Sequence, residues 1–280
     1  MARDLLPLIR QLLGDRYTIE REIGRGGAAR VFLARNATGE AVALKVLHPQ
    51  LTASVAAERF LREVQLISRL EHPRIAKLLD FGEGDWVIYY VMEFVPGPTL
   101  KEHLARVRRA SISDVVRIAD DVLSALAHAH KQGVVHRDVK PENIVLSPSG
   151  AVLLDFGIAK AVAASGHDRL TRSGFAVGTS TYMSPEQITG EEDIDHRSDI
   201  YSLGCVLFEA LAGRPPFEDP FEEMVLRMHQ NTPPPDLGAL RSDVPGPLVE
   251  LINRALAKDR EARWPTAEEM RGALPSLVTP

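Results

Sequence analysis

Two short segments concentrate reactive side chains. His136-Arg-Asp-Val-Lys-Pro-Glu-Asn143 places a carboxylate at Asp138, a cation at Lys140 and an amide at Asn143. Leu154-Asp-Phe-Gly157 adds a second carboxylate, Asp155, beside a glycine. Phosphoryl transfer to a hydroxyl needs a base or positioner for that hydroxyl and oxygen ligands for a hard cation. It also needs positive charge near the transferring group. The two segments, in this order and at this separation, supply all three.

Three upstream features are weaker alone. Ile23-Gly-Arg-Gly-Gly-Ala-Ala-Arg-Val31 has glycines at 24, 26 and 27. Without Cβ atoms they let backbone N–H groups fold closely over an anion, although an ordinary hairpin turn has the same composition. Val42-Ala-Leu-Lys45 sets an ammonium among apolar strand residues. That costs free energy unless the charge meets a negative partner or reaches water at a sheet edge. Glu63 is a candidate partner, and a solvated helix glutamate is the alternative.

These groups need elements to hold them. Tyr17–Ile23, Arg30–Arg35, Ala41–Leu47, Ile75–Phe81 and Trp86–Phe94 are short apolar, β-branched runs. Thr38-Gly39 and Gly82–Asp85 supply turns between them. Between the third and fourth runs, Ser54 to Leu70 has helical spacing, with Phe60, Val64, Ile67 and Leu70 on one face. After Pro96-Gly97-Pro98 the pattern becomes mainly helical. Thr99 to Glu102 reads as a capping box, Ser113 is positioned to cap a long helix ending before Gly133, and Thr266 to Glu269 resembles another box. Upstream, Asp4 can cap a helix carrying Leu5, Leu8, Ile9, Leu12 and Leu13 on one face, with Gly14 as its stop. Such a stripe packs on its own domain or docks a partner, and the first is favoured. The fold class expected is α+β: a small antiparallel β lobe with one helix, then a larger α-helical lobe. The boundaries are 1–16 for a helical extension, 17–95 and 96–274 for the lobes, and 275–280 for a tail or the start of a linker.

The chain has 280 residues, 45% hydrophobic and 25% charged, which fits a globular protein with a sizeable core. A net charge of −5 does not suggest a nucleic-acid partner. One cysteine, Cys205, excludes an intramolecular disulfide framework and a cysteine-rich zinc site. No apolar run reaches the roughly 18 residues of a membrane helix, so no membrane contact is expected of this segment. The N-terminus lacks the pattern of a cleaved signal.

Taken together, these motifs resemble the protein-kinase family from about Tyr17 to Leu274, in a bilobal kinase-like fold. The resemblance implies roles residue by residue. Ile23, Gly24, Gly26 and Gly27 would cover ATP, and Val31, Ala43 and Val145 would enclose the adenine. Met92 would be the gatekeeper, with Glu93 to Val95 as the hinge. Lys45 would hold phosphates and pair with Glu63. Asp138 would be the catalytic base, Lys140 would touch the γ-phosphate, and Asn143 and Asp155 would hold magnesium, with manganese as the alternative ion. Ile67, Leu78, His136 and Phe156 would form a stacked spine. Gly178 to Glu186 resembles the peptide-docking loop, with Thr179 at the catalytic loop, Glu186 paired with Arg263, and Asp199 bracing the loop around Arg137. Thr171 and Ser173 match activation-loop acceptors, whose phosphates would bridge to Arg137.

Two positions depart from the pattern: Ala29 replaces the third loop glycine, and Ser184 opens the Ser-Pro-Glu triplet. Neither removes a catalytic group. Lys140 and Thr179 resemble the serine/threonine branch, and the overall texture resembles bacterial eukaryotic-type, or Hanks-type, kinases. That implies ATP as cosubstrate and proteins bearing Ser or Thr as substrates. A homodimer through the small lobe is among the implied partners. The implied location is cytoplasmic, either as such or as the cytoplasmic part of a longer membrane-anchored kinase. A catalytically silent binding module and a small-molecule phosphotransferase are the alternatives. His128 and His130 read as ordinary helix residues, and Cys205 as an inert core thiol. Arg106, Arg108 and Arg109 read as solvated surface, and Pro233 to Pro235 as a stiff loop.

Overall fold

The computed structural model describes residues 5–26, 29–47, 64–84, 87–156, 180–191 and 193–275. They divide into two compact units. One holds the described residues up to Glu71 together with Ala76–Val95. The other holds His72–Ile75 and the described residues from Pro96 onward.

The first unit is a five-stranded antiparallel sheet, β1 (Tyr17–Arg25), β2 (Ala29–Asn36), β3 (Ala41–Leu47), β4 (Leu78–Gly84) and β5 (Val87–Glu93), in the order β1-β2-β3-β5-β4. β4 starts and ends later than the apolar run predicts, because Ile75 is claimed by the second unit, where it bridges Leu153. Residues 64–67 are helical, and Val64, Ile67 and Leu70 are buried, as their shared face predicts.

Strand alternation gives this sheet two different faces. Phe32, Ala34, Val42, Leu44, Val46, Tyr89 and Val91 form one apolar face. Across it lies α1 (Leu5–Leu13), burying Ile9 and Leu13 completely or nearly so, with Leu12 packed alongside. The side chains of Leu5 and Leu8 are outside the described set. A nine-residue helix is marginal alone, so this packing is what holds it. Gly84 makes the fit close: a Cβ there would collide with Leu12. Just past α1, Arg16 donates to Asp80 at 3.0 Å and to the Tyr89 hydroxyl at 2.6 Å, pinning the helix end to β4 and β5.

The second unit is mainly helical: α2 (Leu100–Val107), α3 (Ile112–Lys131), α4 (Pro185–Thr189), α5 (Arg197–Ala212), α6 (Glu222–Asn231), α7 (Leu237–Leu240), α8 (Gly246–Ala255) and α9 (Ala267–Gly272). A two-stranded sheet, β6 (Ile144–Ser147) with β7 (Gly150–Leu153), is set among them. Thr99 and Glu102 form the expected capping box on α2. The cap of α3 is Ser111, not Ser113. Ser111 has the extended backbone of a cap and its hydroxyl accepts the Asp114 N–H, whereas Ser113 already lies in the first helical turn. Thr266 caps α9 by accepting the Glu269 N–H. α5 is buried along almost its whole length, so it is the post around which the other helices pack.

Candidate active site

In the first unit, register assembles the predicted nucleotide residues. Val31 pairs with Lys45, Gly24 with Val31, and Ala43 with Met92. Directly paired residues share a face, so Gly24, Val31, Ala43, Lys45 and Met92 stand together on the face opposite α1. Lys45 Nζ lies 5.7 Å from the centre of the Tyr90 ring on the same face. Ile23 is exposed at the end of this row, and the Gly26 N–H closes the turn onto the Ala29 carbonyl at 2.9 Å. Glu93 ends β5 and Val95 follows it. Gly27 and Glu63 lie outside the described residues.

In the second unit, the segment after α3 is strapped to the buried carboxylate of Asp199 at the start of α5. Asp199 accepts the His136 N–H at 2.8 Å, the Arg137 N–H at 2.7 Å and a bond from His130 Nε2 at 2.8 Å. Burial opposes ionisation of this carboxyl, but the His130 hydrogen bond and the positive surroundings prevail and hold it below its ordinary range. Arg137 adopts φ 64° and Asp155 φ 54°, both in the left-handed region. Such backbone costs about 1–3 kcal/mol and persists only where surrounding bonds over-determine it. Here those bonds are visible: Gln187 on α4 donates to the Arg137 carbonyl at 2.8 Å, in addition to the Asp199 strap.

The strap positions the reactive groups. Asp138 Oδ2 is 2.7 Å from Lys140 Nζ, and the Asn143 amide donates to the Asp138 carbonyl at 2.8 Å and carboxylate at 3.1 Å. His136 is fully buried. Its Nδ1 accepts the Asp138 N–H, so its proton sits on Nε2, which donates to the Leu154 carbonyl at 2.8 Å. Burial lowers its pKa and keeps the ring neutral. One histidine thereby couples the loop of Asp138 to the segment of Asp155, with the Phe156 ring packed against it at 4.6 Å between ring centres and tilted by 50°. Val145 is buried in β6, two residues beyond Asn143.

The donor set fits a hard divalent cation. The Asn143 nitrogen is engaged with Asp138, which leaves its amide oxygen as an acceptor, and Asp155 offers carboxylate oxygens. Among the described residues no three His, Cys, Asp or Glu side chains cluster as a cage. An ion held here would complete its shell with phosphate and water oxygens, as magnesium does.

Below the loop, Glu186 and Arg263 form a bidentate pair at 2.7 and 2.8 Å, with Ser198 also donating to Glu186. Burial raises the Glu186 pKa, but Arg263 outweighs it and the net direction is down. Thr171, Ser173 and Thr179 lie outside the described residues. Reading the sequence missed His130 and Gln187. The pattern made His130 an ordinary helix residue, yet its ring ties α3 to the carboxylate on α5. The only local hint was its position in the last turn before the reactive segment.

The site and both units agree with one family. The description "Protein kinase domain" matches residues 17–273, and the chain belongs to that family. Among curated proteins it is similar to the serine/threonine-protein kinase PknB of Mycobacterium tuberculosis, 39% identical over 94% of this chain and 43% of that protein. It is similar also to the serine/threonine-protein kinase pkn3 of Myxococcus xanthus, 40% identical over 94% of this chain and 50% of that protein. The probable serine/threonine-protein kinase PknB of Lactococcus lactis is 37% identical over 94% of this chain and 42% of its own length. The chain spans half or less of the length of these relatives, and its family match and these identities place it with bacterial Hanks-type catalytic domains. No described helix is long and apolar enough to cross a membrane.

Proposed function

We propose that this chain transfers the γ-phosphate of ATP to serine and threonine hydroxyls of proteins. The observation that carries this reading is the strapped loop, in which the Asp138 carboxylate is within bonding distance of both Lys140 and Asn143. A substrate hydroxyl donating to Asp138 would have its proton steered away as its oxygen bonds to phosphorus and the bond to ADP breaks. Lys140, beside that carboxylate, supplies positive charge where the transferring group's charge is exposed. Lys45 does so for the phosphates that stay behind, helped by backbone N–H groups around Gly24 and Gly26, with Glu63 as the partner that fixes Lys45. Asn143 and Asp155 would hold the divalent ion, magnesium or manganese, which supplies charge neutralisation on the phosphates.

The finer parts of the reading follow. Ile23, Val31, Ala43, Met92, Glu93, Val95 and Val145 contact the nucleotide. Thr171 and Ser173 are autophosphorylation sites whose phosphates bridge to Arg137, and Thr179 meets the catalytic loop. The kinase domain spans 17–274 and works in the cytoplasm. A homodimer through the first unit would form on α1 or on the edge strands β1 and β4, because α1 covers the apolar sheet face.

The test is incubation with labelled ATP and magnesium, offering a generic protein and, separately, an aminoglycoside, followed by phosphoamino-acid analysis. Label on Ser and Thr that disappears in Asp138→Asn supports the proposal. Label on the aminoglycoside alone, or none in a folded wild-type protein, overturns it.

A further inference from the structure

His229 is a buried histidine that none of the chemistry above uses. It lies on α6, has no exposed surface and is packed edge-on against Phe217 at 4.9 Å between ring centres. Its Nδ1 is 2.9 Å from the Tyr201 hydroxyl of α5. Its Nε2 is one of the few buried polar atoms among the described residues with no partner in ordinary hydrogen-bond geometry. α6 packs against the turn that carries Thr181, which brings the backbone of that residue to the ring. Thr181 sits in the short turn Ser180–Tyr182, immediately before Ser184-Pro-Glu186.

The tautomer follows from the neighbours. Lys258 Nζ donates to the Tyr201 hydroxyl at 3.3 Å and to the Met228 carbonyl at 3.1 Å, and lies 4.1 Å from the centre of the Phe217 ring. A hydroxyl that accepts from an ammonium has one proton left to give. At 2.9 Å, His229 Nδ1 is the better acceptor for it than the His229 carbonyl at 3.5 Å. The imidazole proton therefore resides on Nε2, the buried atom that has no other partner. Buried N–H groups are almost always paired, so the Thr181 carbonyl, in the turn packed against α6, is the acceptor this donor requires.

We infer that His229 is a positioning residue for protein substrate: its Nε2–H, oriented through Lys258 and Tyr201, holds the backbone of Thr181 and so sets the 180–184 segment against which the substrate peptide docks. The inference rests on the kinase reading above, since it assigns that segment its substrate. The relay of Lys258, Tyr201 and His229 is built from residues assigned neither to the nucleotide nor to the reacting hydroxyl. The effect belongs in peptide affinity, not in ATP binding or the chemical step.

Three variants test it. His229→Phe keeps a ring in the pocket and removes the donor. His229→Gln restores an N–H. Tyr201→Phe removes the hydroxyl that fixes the tautomer. The expected result for His229→Phe is a rise of about tenfold in KM for a protein or peptide substrate, the equivalent of one net hydrogen bond. KM for ATP and kcat should stay within about twofold. Tyr201→Phe should move the same way by less, and His229→Gln should recover most of the loss. Amide hydrogen exchange at 180–184, which requires no activity, should be faster in His229→Phe than in wild type or His229→Gln. Unchanged exchange and unchanged peptide KM in His229→Phe would overturn the inference. Equal losses in the Phe and Gln variants would also overturn it, because they would make the residue a packing element. A wild type that transfers no phosphate to peptide would defeat the kinase reading instead, and the exchange data would still judge the contact.

Discussion

Lys45 and Asp138 are held in place by different means. Lys45 stands on its face because β3 alternates and because its register with Val31 and Tyr90 is set by continuous strand pairing, backed on the other side by α1. Asp138 lies in irregular backbone, between a residue at φ 64° and a lysine 2.7 Å away. The two residues before it, His136 and Arg137, are tied through their N–H groups to one buried carboxylate. Register is distributed over many equivalent hydrogen bonds, so the sheet tolerates the loss of any one side chain. A strap is concentrated, so one substitution should remove both geometry and stability.

The largest expected effect is chemical. Asp138→Asn should lower kcat about 10²–10⁴-fold, the usual range for a general base, with the melting temperature little changed. Steady-state kinetics beside a thermal scan checks it, and an active Asn variant would remove Asp138 from its role.

The next effect separates the two regions. Asp199→Ala would leave the His136 N–H, the Arg137 N–H and His130 facing a void, and should cost about 3–5 kcal/mol of stability as well as activity. Lys45→Met should lose transfer with little loss of stability, since continuous strand pairing sets the register of the sheet. Urea unfolding of both variants gives the comparison. Equal destabilisation would erase the contrast between strap and register.

A third change probes what backs the register. Leu13→Ala, at a fully packed position at the end of α1, should cost about 2–5 kcal/mol. Activity per folded molecule should be retained at low temperature, because Leu13 lies on the face opposite Lys45. Chemical denaturation paired with activity at 10–15 °C measures both, those temperatures lying near the usual stability maximum.

The smallest expected effect is pH-dependent. Burial, then Lys258, pushes the His229 pKa down from 6.5 to about 4. Between those values the unfolded chain binds the proton and the folded chain does not, so stability falls as pH drops through this window and levels off below it. The full shift is worth about 3 kcal/mol. His229→Gln should lose correspondingly less than wild type between pH 7 and pH 4.5 in urea titrations. Parallel losses in the two proteins would show that His229 is not a source of the acid sensitivity.

Local pattern was enough to place β1, β2, β3 and β5, the α2 cap and the amphipathic stripe that became α1. Each depends on residues within a few positions of one another, where spacing alone fixes the face and the cap. Other features were decided only by tertiary structure. His130 and Asp199 are 69 residues apart, and Glu186 and Arg263 are 77. Ser111 displaced Ser113 as the α3 cap because the chain turns one residue pair earlier than the apolar pattern suggests. His229 acquired its lowered pKa and its tautomer from burial beside Lys258 and Tyr201, which come from other elements. Desolvation and long-range hydrogen bonding depend on what packs around a group. A sequence lists the groups and their local spacing, and only the folded chain supplies their surroundings.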